Sequence, residues 1–282
     1  MLTEQQKQER RTGIGGSEIA AVLGCSPFQT PLDVWLSKTE GYERPNNPDM
    51  ERGNFLEAGI GAWYAHRCGA SVVHGETTRH ARHPEALCTP DFWAGNRLVS
   101  IKAPRRGGIY WGESGTDMVP EPYALQLQWE ALVCGSHREV DPELHLAALV
   151  DGELRVYRLQ SDPELQGWIL DFVRDWWARH IVGGVPPELQ PSSAASDWMK
   201  RRFPRVAAPV RQATPEEDLL LLSLRDSKRA LRRHEGEVDL LELRLKEAIG
   251  SSEGIQSPTG VATWRADKNG KRVLRTKFTE EE

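Results

Sequence analysis

An aspartate at 91, a serine at 100 and a lysine at 102 fall within one short stretch, Thr89-Pro90-Asp91-Phe92-Trp93-Ala94-Gly95-Asn96-Arg97-Leu98-Val99-Ser100-Ile101-Lys102. Apolar and aromatic residues flank Gly95-Asn96, a two-residue hairpin signal, and a turn centred there pairs Asp91 with Ser100. Directly opposed residues of an antiparallel pair share a face with Cβ atoms about 4.5–5.5 Å apart, so Asp91 and position 100 converge. Strand alternation puts Leu98, Ser100 and Lys102 on that face and turns Val99 and Ile101 toward a core. A carboxylate beside a lysine suits phosphodiester hydrolysis: oxygen anions hold a hard divalent cation and the ammonium orients the attacking water. A second carboxylate at position 100 would complete such a centre, but this chain has a neutral hydroxyl there, a poor ligand for that cation. The plain alternative is an ordinary hairpin with a surface aspartate and a snorkelling lysine.

Three further segments are placed to serve these groups. In Gly13-Ile14-Gly15-Gly16-Ser17-Glu18-Ile19-Ala20-Ala21-Val22-Leu23-Gly24 the glycines allow a tight turn. Ser17 is expected as an N-cap, with Glu18 to Leu23 opening a helix whose free N–H groups could hold a phosphate. No Gly-Lys-Ser follows, which excludes a nucleotide P-loop. A helix is expected from about Asn54 to Arg67, with Leu56, Ile60, Trp63 and Tyr64 as its buried stripe and Glu57 at the edge of that stripe. After Pro120-Glu121-Pro122 another helix sets Leu125, Trp129, Leu132 and Val133 at core spacing and ends at Gly135. Tyr123, Gln126 and Glu130 share a different face of it. A glutamine amide donates and accepts at once, which suits it to orienting a water.

Downstream, Leu144 to Val150 and Glu153 to Leu159 flank Asp151-Gly152, a hairpin that would extend the sheet. A helix from Asp162-Pro163 to Gly183-Gly184 is expected to bury Leu165, Trp168, Ile169, Phe172, Val173 and Trp176. Pro186-Pro187 and Pro191 then mark the end of a core, giving a domain over 1–190 and a C-terminal extension over 191–282. Within the extension, residues 214–249 form a helix in which Leu224, Leu231, Val238 and Leu245 recur every seven residues, beside Leu220 and Leu241. Ser227 and His234 interrupt the second seam. The stripe could join two chains, bind a partner helix or pack on the core, the last being the default. Residues 254–278 read as a basic hairpin turning at Asn269-Gly270, with Arg265, Lys268, Lys271, Arg272, Arg275 and Lys277 against Asp267. That hairpin is either a solvated tail or a ribbon that contacts phosphates.

The 282 residues carry 39% hydrophobic side chains, enough for a core, and a net charge of −5, which argues against indiscriminate coating of DNA but not against a local basic channel. No run of about 18 apolar residues suggests a membrane span, and the first residues have no secretory apolar segment. A cytoplasmic protein is expected. Cys25, Cys68, Cys88 and Cys134 form no Cys-x-x-Cys pair, so free thiols are expected rather than a zinc ribbon or disulfide framework.

Taken in order, the Gly13–Gly24 block, Ser26-Pro27-Phe28-Gln29-Thr30-Pro31-Leu32-Asp33-Val34-Trp35-Leu36, Met50-Glu51-Arg52-Gly53-Asn54-Phe55-Leu56-Glu57, Thr89-Pro90-Asp91, Ile101-Lys102-Ala103-Pro104, Trp111-Gly112 and Val119-Pro120-Glu121-Pro122-Tyr123-Ala124-Leu125-Gln126-Leu127-Gln128 closely resemble the YqaJ-type viral recombinase nucleases. That family is related to lambda exonuclease. The resemblance implies an α/β, restriction-endonuclease-like PD-(D/E)xK core, a mixed sheet flanked by helices, over roughly residues 10 to 190. It implies an exonuclease that uses Mg²⁺, with Mn²⁺ as a possible substitute, to degrade one strand of linear duplex DNA from 5′ to 3′. Glu57 and Asp91, with the Ile101 carbonyl, would hold the metal, Lys102 would support the water and Gln126 would orient it. Arg10 or Arg11 would meet the 5′ phosphate, with Ser17, Tyr123 and Gln128 also on the DNA. Ser100 departs from the family pattern, which has glutamate there. Implied partners are double-stranded DNA ends, a single-strand annealing protein and further copies of the chain in a ring. Two alternatives stay open: a non-catalytic protein that grips DNA ends, and an endonuclease of the same fold.

Overall fold

The computed structural model describes residues 4–105, 107, 110–138 and 141–279, with the side chains of 4–7 left aside. Arg106, part of a basic pair with Arg105, lies outside them. The chain divides into two compact units, Met1–Pro204 and Arg205–Glu282. The first unit thus runs past the expected boundary at 190. It does so because α7, described below, buries Ala194, Ala195 and Trp198 in the main core.

The first unit begins with α1 (Glu4–Arg11), a 3₁₀ turn (Gly16–Glu18), α2 (Ile19–Val22), α3 (Pro31–Thr39) and α4 (Pro48–Cys68). Strands β1 (Val73–His74), β2 (Thr78–Arg79), β3 (Leu87–Cys88), β4 (Phe92–Ala94) and β5 (Arg97–Lys102) follow, and then α5 (Glu121–Gly135). Next come β6 (Glu143–Val150), β7 (Glu153–Leu159), α6 (Pro163–Trp176), which continues as a π-helical turn to Val182, and α7 (Ser193–Arg202). Five strands form the main sheet in the order β1-β4-β5-β6-β7. Only the β5–β6 neighbours run parallel. A parallel pair needs a crossover, and α5 supplies it.

Two hairpins set the register. In the β4–β5 pair Phe92 faces Val99, Trp93 faces Leu98 and Ala94 faces Arg97. Gly95 at φ 65° is the first central residue of the turn, the conformation that glycine enters without strain. Asp151 at φ 50° and Gly152 at φ 87° turn β6 into β7. Both faces of the sheet are covered. Val99 and Ile101 join Ile60, Tyr64, Phe92 and Val156 on the α4 side, whereas Leu98 joins Leu125, Leu127, Trp129 and Ile169 in the larger cluster. Ser100, by alternation, faces that larger cluster.

Several helices depart from expectation. α4 starts at Pro48, not near Asn54, because Asn47 caps it by accepting from Asp49 N and Met50 N, while its polar first turns give no apolar period. Trp63 is exposed on α4 although it was expected in the buried stripe. On α6 Trp168 and Phe172 are also exposed, their rings 5.7 Å apart, so the buried side there is narrower than expected. Among the described residues no helix is long and apolar enough to cross a membrane, and all four cysteines are free thiols.

The second unit contains α8 (Pro215–Ile249) and a three-stranded antiparallel sheet of β8 (Gly254–Ser257), β9 (Gly260–Ala266) and β10 (Arg272–Phe278). The expected basic hairpin is its β9–β10 half. Ser257 pairs with Gly260 to start the third strand, a turn the hairpin reading passed over. Leu224, Leu231 and Val238 are all more than half exposed, so the second unit does not itself cover the heptad stripe.

Candidate active site

The site gathers on β5 and the elements beside it. The Lys102 ammonium donates to Ser100 Oγ at 2.9 Å, and Ser100 donates to Asp91 Oδ2 at 3.2 Å. The backbone N–H of Ile101 donates to the same carboxylate oxygen at 2.6 Å. Asp91 is therefore fixed from two directions, and Ser100, only 1% exposed, stands between acid and lysine. The Lys102 ammonium also lies 5.4 Å from the centre of the Tyr123 ring, which packs on Trp111.

Two more acids lie within electrostatic reach of Asp91 and Lys102. Glu57 of α4 is half-buried, and burial followed by the Asp91 charge pushes its carboxyl above the ordinary range. Glu130 of α5 is 2% exposed. Its carboxyl is pushed up to about 8, first by burial and then by Asp91, with Lys102, Gln126 and Arg10 opposing. Gln126 Nε2 donates to Glu130 Oε1 at 2.7 Å, while Oε2 is buried and has no hydrogen-bond partner.

The glycine-rich segment packs on this face. A Cβ on Gly16 would stand 2.8 Å from Glu130 Oε1 and 3.3 Å from Gln126 Cγ, so position 16 has no room for a side chain while glutamate occupies 130. Ser17 is not an N-cap: Gly15 precedes a three-residue turn, and the Ser17 hydroxyl accepts from Arg10 at 2.5 Å. Glu18 N, among the donors expected to be free, donates to the Gly15 carbonyl at 2.9 Å, and Gly15 N donates back to Glu18 Oε2 at 2.9 Å. Glu18 pairs with Lys38 at 2.7 Å, with side chains only 13% and 2% exposed. Burial pulls the Lys38 ammonium down and Glu18 works against that. This buried pair anchors the loop, and its twenty-residue separation left no spacing signal. Arg10 is thus the arginine turned to the loop, whereas Arg11 lies against Gly41, where a Cβ would meet its Nη2 at 2.9 Å.

Gln128 does not join the cluster. Its Nε2 donates to the Gln160 carbonyl at 2.7 Å and its Oε1 accepts from Asp162 N and Gln166 Nε2. At 5% exposure it ties α5 to the start of α6. Gln126 is committed to Glu130 rather than to an open position. The spacing along α5 sets Glu130 on the Tyr123–Gln126 face and by itself gives it no role. An acid there is unremarkable on a half-exposed helix, and α5 proves to be buried nearly all round.

No group of three His, Cys, Asp or Glu side chains stands close enough to enclose a metal ion among the described residues. The donors present are nonetheless carboxylate oxygens, one of them buried without a partner. That chemistry fits a hard divalent cation and not zinc or an iron–sulfur group.

Comparison with known proteins follows the same lines. Residues 6–137 match the YqaJ-like viral recombinase domain. YqaJ of Bacillus subtilis strain 168, itself uncharacterised, is 28% identical over 202 residues, covering 69% of this chain and 61% of that protein. The chain therefore spans less than two thirds of that relative. An alkaline exonuclease from Laribacter hongkongensis, LHK-Exo, has a TM-score of 0.51 at 18% identity, covering 71% of this chain and 97% of its own. Its complex with dAMP has a TM-score of 0.52 at the same identity and coverage. At that identity the likeness concerns the fold alone, a mixed sheet between helices. The sequence match and the fold point the same way: through residues 6–137 this chain is similar to the YqaJ-like viral recombinase domain.

Proposed function

We propose that this chain is a metal-dependent deoxyribonuclease that digests linear duplex DNA from its ends. The observation that carries the reading is the convergence of Asp91, Ser100 and Lys102, with Glu57 and Glu130 within their electrostatic reach. Asp91, the Ile101 carbonyl and Glu57 would hold Mg²⁺, or Mn²⁺ in its place. Such an ion neutralises charge on the phosphoryl oxygens and makes water easier to deprotonate. Lys102 orients that water. Its oxygen forms a bond to phosphorus as the bond to the 3′ oxygen breaks. The water's proton passes to solvent and the departing 3′ oxygen takes one up, leaving a 3′ hydroxyl and a new 5′ phosphate. Gln126 steadies the acid that faces the water, and the Tyr123 ring flanks Lys102.

Arg10 and Ser17, joined by a hydrogen bond at the loop, would receive a terminal 5′ phosphate. That placement supports 5′ to 3′ polarity, and the dAMP held by LHK-Exo suits a reaction releasing mononucleotides. The exposed strand left behind would pass to a single-strand annealing protein, in phage-type recombination inside the cytoplasm. Further copies arranged as a ring would keep the enzyme on its track.

Ser100 favours a second reading, a protein that grips DNA ends without cutting them. The test is Mg²⁺-dependent digestion of a 5′-phosphorylated linear duplex beside a closed circle, using this chain and Ser100→Glu. Loss of the linear substrate alone is expected. Cutting of the circle would indicate an endonuclease, activity only in Ser100→Glu would favour the end-gripping reading, and inactivity of both proteins would end the nuclease reading.

A further inference from the structure

We infer that Glu130 is a further acidic ligand of the divalent cation beside Asp91 and Glu57, occupying from α5 the role that a carboxylate at position 100 would fill from β5. The inference rests on the nuclease reading above and names one more residue of its centre.

Three observations carry it. Glu130 is buried to 2% exposure, yet its Oε2 has no partner, the one such side-chain atom found among the described residues. A buried carboxylate left half-satisfied is strongly unfavourable, so a helix packed on both sides would be more stable with an apolar residue there. That cost is readily explained if a ligand completes the group. Second, the acid lies within electrostatic reach of Asp91 and Lys102, the two groups between which Ser100 stands. Position 100 contributes no charge, and a carboxylate from α5 would supply the missing one to the same centre. Third, the surroundings are fitted to this side chain. Gln126 clasps Oε1 at 2.7 Å and leaves Oε2 free, and Gly16 offers only hydrogen where a Cβ would come within 2.8 Å of the carboxylate.

Cation binding can be read without any DNA. The purified chain is titrated with Mn²⁺ at constant pH while free Mn²⁺ is followed by electron paramagnetic resonance, and the titration is repeated with Glu130→Gln and with Glu130→Gln/Ser100→Glu. Thermal unfolding confirms that each is folded. Glu130→Gln is expected to weaken Mn²⁺ binding by roughly a hundredfold, and adding Ser100→Glu to recover most of it, since loss of an anionic ligand exceeds the effect of an outer-shell change. Unchanged affinity in Glu130→Gln, or no Mn²⁺ binding by the parent chain, would overturn the inference. Loss without recovery would overturn the exchange with position 100. Should Glu130→Gln not fold, Ser100→Glu alone decides. With Glu130 already a ligand the added acid changes affinity by less than about tenfold, and a larger gain would sink the idea. A parent chain that binds Mn²⁺ through Glu130 but digests no duplex breaks the nuclease reading and leaves this assignment standing.

Discussion

Glu130 in the first unit and Glu217 in the second are both glutamates on helices, and their surroundings treat them in opposite ways. Glu130 is buried, holds one hydrogen bond from Gln126 and has its carboxyl pushed up to about 8 by burial and Asp91. Glu217 is part-exposed at the start of α8, closes a capping box with Thr214, and pairs with Arg211 at 2.5 Å. Hydrogen bonding to Arg211 brings its carboxyl down to about 2. Glu217 supports the helix that carries it. Glu130 weakens its own, and a chain retains such a residue for what it binds. The same contrast extends to apolar groups: the first unit seals leucines between sheet and helix, while the second does not itself cover its leucine stripe.

The sharpest way to break this contrast is to remove the cation that acts electrostatically on the buried acid. Lys102→Met is expected to slow digestion of linear duplex by about a thousandfold, about 4 kcal/mol of barrier, in single-turnover assays. Digestion at the parental rate would leave the first unit's charged cluster without a catalytic role. Next in size is the paired truncation of leucines. Leu127→Ala, in the sealed core, should cost about 2–5 kcal/mol by denaturant unfolding, and Leu231→Ala, 58% exposed, less than about 0.5. Equal costs would mean the α8 stripe is covered in solution. Gly16→Ala should cost about 1–3 kcal/mol, because its methyl meets the Glu130 carboxylate and the buried loop has little room to yield. Alanine without penalty would show that Glu130 is free to move.

The smallest effects are in pH. The folded carboxyl of Glu130 keeps a proton up to about 8, whereas the unfolded one releases it near 4.5. The stability this contributes is full below 4.5 and is lost as pH rises through about 8. The first unit's melting temperature should therefore fall by a few degrees more between pH 5 and 8.5 in the parent chain than in Glu130→Gln. For Glu217 the sign reverses: its contribution is present above 4.5 and is lost as pH falls toward 2. Helicity followed by circular dichroism from pH 5 to 2 should drop more in the parent than in Glu217→Gln. Parallel profiles in both experiments would erase the distinction between the two acids.

Local order was legible wherever neighbours in sequence settle it. Gly95-Asn96 and Asp151-Gly152 are turns whose backbone chemistry is written in the residues, so the register of β4 on β5, and with it the meeting of Asp91 with Ser100, followed from the chain alone. Period and punctuation likewise located α5, α6 and α8. Exposure was less legible. Trp63, Trp168 and Phe172 match an apolar period but lie past the edge of the contact, since a stripe's width depends on what packs against it. The third strand of the second unit depends on Ser257 pairing with Gly260, a short turn that strand propensity does not mark.

What the sequence determined by itself is the hairpin centre: an acid, a neutral hydroxyl and a lysine brought to one face by a two-residue turn. Tertiary structure alone decided what surrounds it. Whether Glu130 is a surface acid or a buried one depends on α5 being enclosed between the sheet, α6 and the glycine-rich loop. Whether Gln128 serves a ligand or the interior depends on where α6 begins, and whether Arg10 or Arg11 faces the loop depends on how α1 lies against α3. Such facts arise from contacts between residues far apart in the chain, and neither residue type nor spacing records them.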